Sequence, residues 1–352
     1  MKRSSLIQKW RLVDLLDRLF GRPAPRRAHP HRRTLETLED RLAPAAAPIQ
    51  FFYVPMPEQQ TRAALAAIGS GTTGNDETSL VTITATENNT VLYYDQWEDG
   101  YETNLNAPIQ ASTQIWGDGN AANGMPPGFA TDVINAGTII RLRNDVPANP
   151  RDPANLFYDG GDKFGATKTV ALSRAQFPVT PGSVIASAVE VRDTRFYDTS
   201  FHAPVGTNTA NAGQMFEYAA FFVQAAEDNT TVQVDLDGNG SFDQTVTLNQ
   251  GQTLATAGTV RQGGRVVASK PVQVQLLTGD IGSNYASRSY TLFSDTQLAN
   301  DYFTPVGLVS GGAPVNLFVY NPSATTAITV NYQTQTTSGS LGSVAAGATA
   351  RF

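Results

Sequence analysis

Hydrophobic and polar residues follow two different periods along this chain. Residues 4–20, SSLIQKWRLVDLLDRLF, place Leu6, Trp10, Val13, Leu16 and Leu19 at helical spacing, with Lys9, Arg11, Asp14 and Arg18 on the opposite side. From residue 50 the period falls to two. Leu80–Ala85 and Thr90–Tyr94 are strand-like runs separated by the turn cluster Thr86-Glu87-Asn88-Asn89. Similar runs follow at Thr138–Leu142, Lys168–Leu172, Ser183–Val191, Tyr218–Gln224, Thr231–Asp235, Gln244–Leu248, Arg265–Ala268, Val272–Leu277, Asn316–Tyr320 and Ile328–Tyr332. In this part only Glu58–Ile68 suits a helix.

The strand pattern repeats. Val81-Thr-Ile-Thr-Ala-Thr-Glu87-Asn-Asn-Thr90-Val91 aligns with Phe221-Phe-Val-Gln-Ala-Ala-Glu227-Asp-Asn-Thr230-Thr-Val232, and a looser third copy begins at Leu317. Each copy is followed by a glycine turn, at Gly137, Gly251 and Gly347. The first two then share a further piece: Gly160-Gly161 through Ala166-Thr167-Lys168 against Gly263-Gly264 through Ala268-Ser269-Lys270. One such unit cannot bury its apolar face alone, so copies pack on one another. The expected fold is all-β: tandem β-sandwich-like units behind a disordered or helical leader, with a propeller-like arrangement as the alternative. The expected divisions are a leader over 1–49, a first unit over 50–215 with loop insertions at 103–132 and 144–160, a second over 216–300, and an incomplete third over 301–352. The third copy stops before its Ala-x-Lys strand, which predicts either a longer natural polypeptide or a partial cap.

Two resemblances follow from these residues. Leu35-Glu36-Thr37-Leu38-Glu39-Asp40-Arg41-Leu42-Ala43-Pro44 resembles the LExLEDRLxP leader of planctomycete surface and secreted proteins, which implies export. The Glu-Asn-Thr turn, the Gly-Gln turn and the Ala-Ser-Lys-Pro-Val strand resemble the repeat of the N-terminal region of IgG-Fc-binding-type proteins, also found in large bacterial surface proteins. That resemblance implies an extracellular β-rich adhesion or binding region without known chemistry.

Charge and composition narrow the chemistry. Charged residues are 16% of the chain, against roughly 25% in an average domain, so Thr, Ser, Asn and Gln carry much of the polar surface. Residues 1–44 hold eleven Lys/Arg and five Asp/Glu, whereas the rest is acidic, a poor match for nucleic acid. No apolar run approaches the ~18 residues of a membrane-spanning helix. The absence of cysteine removes disulfides, thiol catalysis and zinc ribbons. His202 is the only histidine after residue 31, and it reads as a surface loop residue near Ser200 and Asp198.

Two segments carry candidate sites. Asp235, Asp237, Asn239, Ser241 and Asp243, with Gly240 at the sixth position, place oxygen ligands at alternate positions and suit a hard cation, Ca2+. Val246 stands where an EF-hand has its bidentate Glu, and strands flank the loop, so this is a β-loop or else a polar turn. The second segment, Tyr93–Glu102, mixes aromatics with carboxylates. Tyr94, Asp95, Trp97, Glu98, Asp99 and Tyr101 are its candidate ligand-binding residues. They are read as a glycan platform, as a carboxylate pair of a carbohydrate-active enzyme, or as a hairpin packed on itself. The expected function is a non-enzymatic extracellular or cell-surface module. It binds a glycan or a surface or matrix protein and forms part of a longer chain; the alternative is an extracellular carbohydrate-active enzyme.

Overall fold

The computed structural model describes residues 47–69, 76–147, 152–179, 188–209, 215–282, 287–304 and 315–352. The leader expectations, and residues 183–187 of the strand expected at Ser183–Val191, lie outside them. The described chain is mostly β, built from antiparallel sheets.

The first unit has eight strands: β1 (Gln50–Tyr53), β2 (Glu77–Ala85), β3 (Leu92–Asp95), β4 (Gln114–Trp116), β5 (Ile139–Val146), β6 (Lys163–Ala166), β7 (Val170–Pro178) and β8 (Ala188–Val191). They form two four-stranded sheets, ordered β1-β6-β3-β4 and β5-β2-β7-β8. Alternate residues of both sheets meet in one core. Phe52, Leu92, Tyr94, Trp116 and Phe164 come from one sheet; Val81, Ile83, Ile140, Leu142 and Leu172 come from the other. That is sandwich packing, with inward positions two residues apart on every strand.

The second unit repeats this plan with β9 (Asp198–His202), β10 (Tyr218–Ala225), β11 (Thr230–Asp235), β12 (Gln244–Leu248), β13 (Thr253–Ala255), β14 (Arg265–Gly279) and β15 (Ser287–Thr291). Here the counterparts of β6 and β7 are one strand. The first part of β14 pairs with β11 and β9, and its second part pairs with β10 and β15. One seven-stranded sheet therefore folds over on itself as a near-closed barrel. Its two layers enclose Phe201, Phe221, Val223, Val232, Val234, Val266, Val274 and Leu276. β9 lies within the span expected for the first unit but completes the second.

The equivalence extends to single polar bonds. Lys168 Nζ donates to Asn88 O, and Lys270 Nζ to Asp228 O. Thr90 Oγ1 donates to Glu87 O and Thr230 Oγ1 to Glu227 O, at 2.8 and 2.7 Å. Asn89 and Asn229 both sit at left-handed φ, 55° and 56°, where Asn is tolerated better than most residues. The alignment of the glycine pairs, however, is off by one. Gly161 N donates to Val54 O and Val54 N to Asp162 O; Gly263 N donates to Ala203 O and Ala203 N to Gly264 O. Gly161 thus matches Gly263, both at positive φ, and Asp162 matches Gly264.

The third copy supplies β16 (Phe318–Tyr320), β17 (Ile328–Gln333), β18 (Ser338–Val344) and β19 (Thr349–Arg351), paired as β16-β19 and β17-β18. These correspond to β2 through β5 alone. The set rests on the second unit through Phe318 against Phe216 and Tyr320 against His202.

The helix α1 (Glu58–Ile68) ties the two sandwiches together. Its apolar residues Ala64, Leu65 and Ile68 pack with Tyr218, Ala220, Phe222 and Leu277 on the outer face of the second unit. Both faces of β10 are therefore covered, which explains the unbroken apolar run Tyr218–Val223. At the other end of α1, Glu58 Oε1 accepts from Arg174 Nη2 of β7 at 2.6 Å, with both side chains buried. Beside it a glutamine ladder joins the units: Gln273 Nε2 donates to Tyr53 O and to Gln224 Oε1, and Gln224 Nε2 donates to Val54 O.

Candidate metal centres and the carboxylate loop

The loop after β11 closes on itself through its first aspartate. Asp235 Oδ1 accepts from Gly238 N at 2.8 Å and Oδ2 from Gly240 N at 2.7 Å. Asp243 Oδ2 accepts from Leu236 N, Asp237 Oδ1 from Asn239 N, and Asn239 Oδ1 from Ser241 N. Gly238 and Gly240 have φ of 73° and 91°, which lets the backbone turn its N–H groups inward. The result brings oxygens of Asp235, Asp237 and Asp243 within 4.8 Å of one another. Asn239 and Ser241 take part in the turn itself. This cluster is one of two among the described residues that could hold a metal ion.

The segment after β3 does not form the open platform of the sequence reading. Tyr94 and Asp95 are fully buried; Tyr94 belongs to the core between the two sheets, and on the other side of the strand Leu105 and the ladder neighbour Ile115 pack on Tyr93. Tyr94 stacks on Trp116 inside the core, ring centroids 5.8 Å apart. Asp95 Oδ2 accepts from Glu102 N, and Glu102 Oε1 in turn accepts from Ile109 N and Gln110 N. Asp99 is tied to Ser112 Oγ. Burial raises Asp95 to about 7, against the pull of the Glu102 N–H and Lys163. Lys163 stands opposite Asp95 in the ladder, among the rings of Phe51, Tyr53 and Tyr101. Burial lowers its ammonium pKa while Asp95 and Glu102 push it back up. Tyr101 plugs the seam between the units. Its hydroxyl donates to Gly161 O at 2.6 Å, and a Cβ on Gly251 would lie 1.8 Å from its oxygen. Tyr94, Asp95 and Tyr101, expected as ligand contacts, thus have their polar groups engaged inside the fold.

Of that segment, Glu98 alone joins a cluster. It lies with Asp159 and Asp162 so that one oxygen of each falls within 4.8 Å of the others. Asp159 and Asp162 are fully buried. Asp162 Oδ2 accepts from Tyr94 Oη and Asp159 N, at 3.0 and 2.9 Å. Burial first, then the charges of Asp159 and Glu98, raise Asp162 well above the usual carboxylate range. Sequence reasoning missed Asp159 and Asp162, although one signal was present: the Gly-Gly turn carries carboxylates in the first copy and none in the second.

His202 lies on β9 rather than in a loop. Its Nδ1 is 2.7 Å from Asp295 Oδ1, and Ser200 Oγ donates to the other oxygen of the same carboxylate. Both groups address Asp295, so the serine is bonded to the acid and not to a base, the reverse of a nucleophile relay. Burial pushes Asp295 up, but the bonds from His202 and Ser200 overcome it and leave the carboxyl below its ordinary value.

No helix among the described residues is long and apolar enough to cross a membrane. Compared with protein families, with characterised proteins and with solved structures, the chain finds no match.

Proposed function

We propose that this chain is a non-catalytic, exported β-repeat binding module that engages a glycan or a surface or matrix protein, with Ca2+ stiffening the Asp235–Asp243 loop. The observation that carries this reading is where the repeated polar groups are used. Lys168 and Lys270, and Thr90 and Thr230, make matching bonds in both units, and Asn89 and Asn229 hold the same left-handed turn, so they serve the scaffold. What is not repeated lies in loops at the sandwich ends, the usual place for recognition on a rigid support. Export rests on the likeness of Leu35–Pro44 to an export leader. The enzyme alternative requires two carboxyls facing across a cleft, whereas Asp95 and Glu102 are bound to the backbone of their own loop.

The test is a glycan and matrix-protein array probed with the full chain, with Ca2+ and with chelator, alongside a polysaccharide hydrolysis assay. Saturable binding that weakens with chelator, and weakens likewise in Asp237→Asn combined with Asp243→Asn, is expected. Polysaccharide turnover abolished by Asp95→Ala or Glu98→Ala would overturn the reading.

A further inference from the structure

We propose that Glu98, Asp159 and Asp162 form a second, buried Ca2+ site inside the first sandwich, separate from the Asp235–Asp243 loop and independent of its occupancy. Three observations meet here. The first is spacing: oxygens within 4.8 Å of one another match ligands around one ion at about 2.3–2.6 Å each. The second is Asp162 itself. It is fully buried, its Oδ2 is held by Tyr94 Oη and Asp159 N, and its Oδ1 has no hydrogen-bond partner. A buried carboxylate oxygen left this way is costly unless the group takes up a proton or a cation meets it. The third is the repeat. Gly264 occupies the position of Asp162 in the second unit and makes the same backbone bond, with Ala203 N in place of Val54 N. The turn therefore folds without a side chain there, and the bonds to Oδ2 leave Oδ1 of the added aspartate without use in the scaffold.

The neighbouring cations have contacts outside the cluster, with Arg174 Nη1 making no hydrogen bond. Arg174 Nη2 bridges Glu58 Oε1 and Gln176 Oε1, and Lys163 lies among Phe51, Tyr53 and Tyr101. An all-oxygen set without His or Cys selects a hard ion. Burial favours Ca2+ over Mg2+, which gives up its water reluctantly.

The experiment uses the full chain with Asp237→Asn and Asp243→Asn, exposed changes that disable the surface loop. The probes are Ca2+, counted by elemental analysis after exhaustive dialysis, and Tb3+, read by emission sensitised through aromatic excitation, since Tyr94 Oη touches Asp162. Retained Ca2+ and sensitised emission that Ca2+ displaces are expected, with both lost on adding Asp162→Asn or Glu98→Gln. A loop-disabled chain with neither Ca2+ nor emission overturns the proposal, whatever the fate of the buried variants. Signals that survive both Asp162→Asn and Glu98→Gln overturn it too. The surface loop is read separately by the same probes in the Asp162→Asn chain with its loop intact.

Discussion

Glu77 offers a perturbation whose size can be worked from its surroundings. It is the first residue of β2, 2% exposed, and its Oε2 accepts from Thr61 Oγ1 of α1 at 3.1 Å. Burial, then the charge of Glu58, raises it from 4.5 to about 8, despite Arg62, the Thr61 bond and Arg174. The sign follows from proton counting. Between these values the native state holds a proton that the unfolded chain has released, so stability falls as pH rises. At ~1.36 kcal/mol per unit, the native state loses about 1 kcal/mol at pH 5, about 3 at pH 7 and nearly 5 at pH 9, relative to acid. Glu77→Gln mimics the protonated form and carries none of this. The difference in unfolding free energy, variant minus wild type, should therefore rise by about 3 to 4 kcal/mol between pH 5 and pH 8, with a slope approaching one proton. Urea unfolding followed by tryptophan fluorescence measures it, because Trp116 is buried in the core of the first sandwich. A difference that stays flat across this range would refute the reasoning, because Glu77 would then be charged in the folded protein.

Three further outcomes test the architecture. Phe222→Ala removes a ring between α1 and β10 and should cost about 3–5 kcal/mol, seen in thermal melting. Gly251→Ala adds a Cβ at φ 76°, where Tyr101 already stands; a loss of about 2–3 kcal/mol is expected, together with faster proteolysis of the seam. Lys270→Met deletes the bond to Asp228 O and should cost about 1 kcal/mol in chemical denaturation.

Much of the scaffold was legible where one face of a strand is wet. Alternation marks β2 and β5, and Glu58–Ile68 is a helix to the residue. Legibility failed where a second layer covers the outer face. Tyr94 and Asp95 read as candidate ligand contacts, yet both are fully buried, Tyr94 in the core between the sheets. β4 and β13 are three-residue strands, too short to show a period. Pairing β9 with the second unit needs the ladder itself, since nothing local in Asp198–His202 names its partner. The acidic loop at Asp235–Asp243 was readable because its candidate oxygens fall at alternate positions of one short segment; Glu98, Asp159 and Asp162 are joined only by folding.

The placement of the two acidic clusters links these points. Asp95 and Asp235 hold the same ladder position, opposite Lys163 and Arg265. Each is the last residue of its strand, and the chain beyond it enters an acidic loop. Both loops abut the same positive-φ glycine: Trp97 lies over Gly161, and Gly238 over Gly263. In the second unit the loop stays at the surface and holds its carboxylates by its own N–H groups. In the first, the longer chain after Asp95 folds inward, and the Gly-Gly turn supplies two of the three acids. A repeat that needs only backbone at this turn leaves its side chains free to diverge. The two copies have used that freedom differently, one for an exposed acidic loop and one for a buried cluster. Under the proposed function, cations at these two places would stiffen loops at corresponding ends of the two units, while the repeated Lys and Thr bonds hold the scaffold itself.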